Sequence, residues 1–237
     1  VNKTVAFLLA LAALVAISLP AWSQATWEGP TGVFLNPLAL TIGDGKQEVS
    51  AHFLDLEPIG SLTTFGYVYG LNKDIEVGYT RASLSAGAPS TFSTDILHAK
   101  WIALPFKDQW PQVAVGAIAR STHGGDSTDD FYLVATKVFQ TSTPIIASVD
   151  VRNTNAAWSG LLGRTDERDW LLGGFLGFQV SPKLIVGAEY YGQDESRPWR
   201  DIAVRYNVGN GTNIDAGIAR FNDTWDNQVA VAISHQW

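Results

Sequence analysis

The 237-residue sequence contains no cysteine and no methionine, and only 16% of its residues are charged. Without cysteine there can be no disulfide framework, no thiolate metal centre and no lipid anchor on an N-terminal cysteine. What charge exists is acidic, with 23 Asp and Glu against 16 Lys and Arg. A chain of net charge -7 has no counterion release to gain from a phosphate backbone, so nucleic acid is not an expected partner. Soluble domains average about a quarter charged residues, and the shortfall argues against an ordinary cytosolic enzyme. Long apolar runs are also missing, apart from one near the N-terminus. What is abundant instead, 46% apolar residues, 11% aromatics and 22 glycines, excludes disorder.

The N-terminal run is 5–19, VAFLLALAALVAISL, 15 residues behind the positive Lys3 and ended by Pro20. Ala21, Trp22 and Ser23 then place small residues at the -3 and -1 positions before Gln24. The run is shorter than the roughly 18–20 residues of a membrane span, so 1–23 reads as a cleaved, Sec-type signal peptide. An exported chain with no further helical span is either a soluble β protein or a closed membrane barrel.

Residues 24–46, QATWEGPTGVFLNPLALTIGDGK, hold Gly and Pro but no strong period. They read as a lead-in segment on the periplasmic side, one that either precedes the barrel or partly plugs or lines it. From Gln47 onward the pattern becomes short alternating runs punctuated by Gly, Pro, Asn, Asp and Ser, the signature of strands. The expected strands are 47–54, 61–71, 75–84, 94–104, 112–121, 131–139, 145–152, 170–180, 184–193, 200–208, 212–221 and 227–237. In 202–207, for example, Ile202, Val204 and Tyr206 alternate with Ala203, Arg205 and Asn207. The runs 131–139 and 170–180 are apolar on both faces, which leaves their orientation open.

The connections alternate between short turns, such as Asn72 to Asp74 or Gly209 to Gly211, and mostly longer polar loops at 85–93, 122–130, 153–169, 194–199 and 222–226. Short turns on one side and longer loops on the other are the layout of a membrane barrel, and twelve strands of about 10 residues fit the length available. The expected fold is therefore all-β: an antiparallel transmembrane β-barrel of about 12 strands over 47–237. A soluble sandwich or lipocalin-like barrel would pack large Leu, Ile and Phe inside and turn its polar face outward. Here the polar face is made of Gly, Ala, Ser, Thr and scattered charge, which suits a lumen. Tyr79, Trp101, Tyr132, Trp170, Tyr190 and Tyr206 fall toward segment ends, as interface girdles do.

The closing run 228–237, QVAVAISHQW, sets Val229, Val231, Ile233 and Trp237 on one face. It resembles the β-signal of bacterial outer-membrane, porin-like β-barrel proteins, an alternating last strand ending in an aromatic residue. Most members end in Phe, so Trp237 is a variant, and His235 is less usual than a Tyr or an aliphatic at its position. The resemblance implies a bacterial outer-membrane location, the barrel-assembly machinery as a partner during biogenesis, a surround of outer-membrane lipid and lipopolysaccharide, and small solutes as cargo.

With the outward face so assigned, Glu76, His98, Lys100, Arg120, Asp150, Arg152, Glu189, Asp201, Arg205 and Asp215 point into the lumen. They can act as a selectivity lining that biases which solutes pass. Equally, they can pair into salt bridges that close a narrow barrel, since burying such groups unpaired is costly. A barrel of this size lies between filled 8-stranded ones and open 16-stranded porins. The leading expectation is a passive or weakly selective channel for small solutes. The alternatives are a plugged structural or envelope-assembly barrel without conductance, and a rim hydrolase built on His123 with Asp126, Asp129 and Asp130. Ser234 and His235 are no dyad, because adjacent strand residues face opposite ways. The run 126–130, DSTDD, lacks EF-hand spacing. No catalytic residue, cofactor or metal site is expected.

Overall fold

The computed structural model describes residues 24–56, 60–86, 91–107, 110–156, 164–192, 199–221 and 227–237; the expected signal peptide, 1–23, lies outside them. Two short strands, β1 (Gln24–Ala25) and β2 (Thr31–Gly32), form a small hairpin. Twelve longer strands follow: β3 (Gln47–Leu56), β4 (Gly60–Gly70), β5 (Ile75–Ser85), β6 (Thr91–Leu104), β7 (Gln112–Thr122), β8 (Ser127–Phe139), β9 (Ile145–Ala156), β10 (Arg164–Ser181), β11 (Leu184–Gly192), β12 (Trp199–Gly209), β13 (Thr212–Phe221) and β14 (Gln228–Gln236). Each pairs antiparallel with its neighbours in sequence, and β14 pairs with β3 to close the barrel. At that seam Trp237 and Gln47 exchange backbone hydrogen bonds of 3.0 and 3.2 Å. Closure removes every edge strand, which is what lets a sheet exist where no water can satisfy its backbone.

Several strands run beyond their expected ends. β8 begins at Ser127, β9 reaches Ala156 and β10 begins at Arg164, so the loops expected at 122–130 and 153–169 are partly strand. The ladder continues through polar residues here, as in Ser121 opposite Ser127, because the register is set by the apolar turns of strand below it. On the other side, the β12–β13 connection places Asn210 at φ 52° and Gly211 at φ 79°. Positive φ at both central residues is the requirement of a type I′ hairpin turn, and Asn-Gly meets it with least strain.

Exposure is inverted relative to a water-soluble protein. Phe65, Leu97, Trp170 and Ile202 are each at least 60% exposed. Acidic and basic side chains such as Glu76, Lys100, Arg120 and Arg152 are buried. The outward residues thus form an apolar wall suited to hydrocarbon, with Tyr79, Trp101, Trp170 and Tyr206 among them. Tyr132 does not belong to that girdle. It points inward across Gly116, where an added Cβ would lie 2.2 Å from its ring. The inward residues of β8 are Tyr132, Val134 and Thr136, and those of β10 include Gly173, Phe175 and Gly177, which decides the two runs the sequence left open.

The lumen is filled. Residues 24–39 and Ile42 are buried inside the barrel, and the stretch emerges toward Asp44 and Gly45, which are exposed. Trp27, Phe34, Leu35 and Ala39 of this segment belong to one apolar cluster with wall residues that include Leu54, Leu62, Leu84, Ile96, Ile118, Tyr191 and Trp199. A barrel interior expected to be rich in small and polar side chains therefore also carries a large apolar cluster. Val33 and Leu38 pack against Ile146, Phe175 and Ile185 across the lumen.

Candidate functional site

A chain segment inside a barrel has no sheet neighbours over most of its length, so its N–H and C=O groups must be satisfied by wall side chains. The buried polar residues perform that task. Glu48 accepts from the Ala25 N–H at 2.6 Å, and His52 Nε2 lies 3.1 Å from the Ala25 carbonyl. Glu76 accepts from the Thr31 N–H at 2.8 Å, the Thr31 hydroxyl at 2.5 Å and the Ile42 N–H at 3.1 Å. Glu189 collects three consecutive N–H groups, those of Phe34, Leu35 and Asn36, at 2.8, 3.3 and 2.8 Å. Lys100 and Arg205 donate to the carbonyls of Thr31 and Gly32 at 2.7 and 3.3 Å, and Gln112 donates to that of Ala39.

At the tip of the segment, Glu28 inserts between two arginines. Arg120 lies 2.5 Å from one carboxylate oxygen and Arg152 2.6 Å from the other. Asp130 completes the group at 2.6 Å from Arg120 and 3.2 Å from Arg152, and also accepts from the Thr154 hydroxyl. The Arg152 guanidinium sits 4.8 Å from the Tyr191 ring centre and 5.9 Å from that of Tyr132. Two carboxylates and two guanidiniums thus balance in charge, and the Arg152 plane is backed by aromatic faces.

All ten lumen-facing candidates from the sequence lie buried within the barrel. The structure brings them together in small groups. Arg120 and Arg152 share Glu28, Glu76 pairs with Lys100 at 2.9 Å, and Arg205 pairs with Asp215 at 2.8 Å. Glu189 and Asp201 are direct cross-strand partners, and Asp201 accepts from the Trp199 indole at 2.7 Å. His98 lies against Gly29 and Gly78. Asp150 stands apart from the ion pairs.

Glu28, Asn36, Glu48, His52, Gln112 and Asp130 are among the contributors that sequence reasoning did not place in the lumen. Asp130 carried a readable signal, since it continues the inward period of Tyr132 and Val134 backward along β8. Glu28 carried none, because its partners are 92 and 124 residues away.

Among the described residues the interior holds eight buried carboxylates, Glu28, Glu48, Glu76, Asp130, Asp150, Glu189, Asp201 and Asp215. Against them stand four cations, Lys100, Arg120, Arg152 and Arg205. The ion pairs consume all four cations and leave Glu48, Asp150, Glu189 and Asp201 without a cation at ion-pair distance. No group of three or more His, Asp or Glu gathers as a metal centre among the described residues.

The wall splits the rim cluster expected around His123. Asp130 faces inward to Arg120, whereas Asp129 faces outward to Arg168 at 2.8 Å. His123 itself contacts Asp95 at 2.9 Å and Arg81 at 3.3 Å on the outer surface. Ser234 is buried and His235 exposed, with the His235 ring stacked 5.8 Å from Trp237. Val229, Val231 and Ile233 of the final strand line the outward face beside them.

A family model described as "Protein of unknown function (DUF3034)" matches residues 23–223. None of the curated proteins matches the chain in sequence. Among solved structures the chain is similar to a KdgM porin, with TM-score 0.62, 8% identity, and coverage of 79% of this chain and 98% of that one. It is similar to a KdgM porin in complex with disordered oligogalacturonate, with TM-score 0.57, 10% identity and coverage of 81% and 98%. It is also similar to the Acinetobacter baumannii outer membrane protein Omp33, with TM-score 0.55, 12% identity and coverage of 81% and 97%. At these identities the likeness is one of fold.

Proposed function

The chain belongs to the DUF3034 family of proteins of unknown function, and we propose that it is a bacterial outer-membrane channel for small solutes, closed in this conformation by its own residues 24–46. The observation that carries this reading is the nature of the filling. The segment is held mainly by carboxylates on backbone N–H groups and by ion pairs, contacts that water can replace. The porin fold of the structural neighbours supports it.

Solute class follows from charge. The KdgM complex holds oligogalacturonate, an acidic sugar chain. With residues 24–46 and their Glu28 out of the lumen, the described wall keeps seven inward carboxylates against four cations, an excess that opposes a polyanion, so neutral or cationic small solutes fit this chain better. In this reading the outer wall meets outer-membrane lipid and lipopolysaccharide, and the 228–237 strand engages the barrel-assembly machinery. The protein is read as a non-enzyme, which the dispersal of the His123 cluster supports.

The second reading, a plugged structural barrel, is favoured by the apolar packing of Trp27 and Leu35 on the wall. Planar-bilayer recording separates the two. Refolded protein showing heat-modifiable migration is compared with a Glu28→Ala variant. The channel reading expects rare openings from the parent chain and frequent stepwise ohmic currents from the variant. Folded protein that stays silent in both forms sinks the channel and leaves the structural barrel.

A further inference from the structure

The turn between β1 and β2 presents one carboxylate. The Thr26 N–H donates to the Pro30 carbonyl at 2.8 Å, the Gly29 N–H donates to that of Thr26 at 2.9 Å, and Gly29 takes φ 114°. Glu28, at the tip of this turn, reaches Arg120 and Arg152. Arg120 lies close to the β7–β8 turn, at the end of the barrel away from Trp237. Glu28 uses only part of what the two arginines offer. It meets a single nitrogen of each, Arg120 Nη2 at 2.5 Å and Arg152 Nη1 at 2.6 Å, and Asp130 shares the same two nitrogens. Arg120 Nε and Nη1 and Arg152 Nε are buried with no hydrogen-bond partner. The hydroxyls of Tyr132, beside Arg152, and of Thr128, opposite Arg120, have none either. Buried donors are ordinarily satisfied, so this set has capacity for more acceptor than Glu28 supplies. Without Glu28, two guanidiniums that stay protonated would face the one carboxylate of Asp130. Trp27, next to Glu28 in sequence, belongs to the apolar cluster that includes Tyr132, Tyr191 and Trp199.

We propose that Arg120 and Arg152 form a binding site for a small monocarboxylate with an apolar body, that Trp27 and Glu28 hold its place in the closed form, and that the free anion releases the segment by competing for the arginines. A guanidinium binds a carboxylate best through two parallel N–H···O bonds, which neither arginine makes to Glu28. The local charge suits one carboxylate, because a single anion restores the balance that Glu28 provides. The ligand is the trigger and not the cargo, so the preference of the open lumen for neutral or cationic solutes stands beside it. The site itself rests on the filled lumen, and the release rests on the channel reading.

The site is tested without current. Glu28→Ala lacks the side chain that propionate resembles. Its unfolding midpoint in detergent, read as loss of heat-modifiable migration, is followed in propionate, in chloride of equal ionic strength and in propionamide. The midpoint is expected to rise toward that of the parent chain as propionate is added, and to stay put in the other two. The double variant Glu28→Ala with Arg152→Gln should lose the rise. If Glu28→Ala refolds only when propionate is present, the same rescue is read in the yield. A variant that propionate neither stabilises nor refolds overturns the site. So does a rise that chloride or propionamide reproduces, or one that the double variant keeps. Release is then read in planar bilayers on the parent chain, where 3-phenylpropionate should raise the frequency of openings several-fold over 3-phenylpropionamide. A parent chain that stays closed while Glu28→Ala conducts overturns the release. Rescue by propionate with silence in both chains removes the channel reading and leaves the carboxylate site standing.

Discussion

Glu28 lies outside any strand, and Arg120 and Arg152 fix its place. Replacing it with Ala leaves two buried guanidiniums against the single carboxylate of Asp130. Removing one partner of a buried ion pair typically costs about 3–5 kcal/mol. The expected result for Glu28→Ala is a barrel that still assembles but unfolds at lower urea, measured by tryptophan fluorescence in detergent. An unchanged midpoint would show that the segment is held elsewhere. Gly116 makes a contrasting case. Its missing side chain is the space in which Tyr132 lies, so Gly116→Val forces the ring to move. Overpacking of this kind typically costs about 1–3 kcal/mol, and a paired Tyr132→Ala change should recover part of it in the same titration.

Strands and turns respond to different rules. Val204 sits mid-strand on the outward face of β12. A lysine near the hydrocarbon midplane costs about 2–4 kcal/mol, so Val204→Lys should destabilise the barrel by that amount in lipid vesicles. Equal stability would mean that this face is not bathed in lipid. The β12–β13 turn depends on Asn210 and Gly211. A Cβ at Gly211 would lie 2.1 Å from the Gln236 carbonyl, and the φ of 79° is unfavourable for a branched residue. Gly211→Val should therefore lower refolding yield more than it shifts the unfolding midpoint of the fraction that folds, because the turn sets the register of the closing strands. Gel migration after dilution from urea distinguishes the two effects.

At the scale of the molecule, four interior carboxylates have no cation at ion-pair distance among the described residues. If residues 24–46 vacate the lumen, the wall retains Glu48, Asp150, Glu189 and Asp201 along the path. Current through Glu28→Ala in a salt gradient should reverse at the sign set by cation preference. The preference should weaken as ionic strength rises and the Debye length shortens from about 10 Å at 0.1 M to 3 Å at 1 M. An anion-selective current would show that the arginines freed from Glu28 dominate. The closed form explains why opposite signs coexist inside. The wall must present acceptors to the N–H groups of the segment and donors to its carbonyls, so it needs both charges at chosen depths.

The twelve strands and the facing of their polar residues were legible from the sequence, because side-chain direction in a strand has a period of two and apolar residues must meet lipid. The ten inward candidates follow from that period alone. The runs 131–139 and 170–180 escaped it, since both of their faces are apolar. Tyr132 was misassigned because its length suits a girdle as well as a lumen, and the glycine that receives it lies on the neighbouring strand. The path of residues 24–46 was beyond reach of the period altogether. That segment has almost no regular structure, and its position is decided by Glu48, Glu76, Glu189 and the Glu28 cluster, partners far off in sequence. Local pattern thus determined the wall, and only the closed tertiary structure decided what the wall encloses, because hydrogen-bond partners for an irregular segment exist only once the barrel surrounds it.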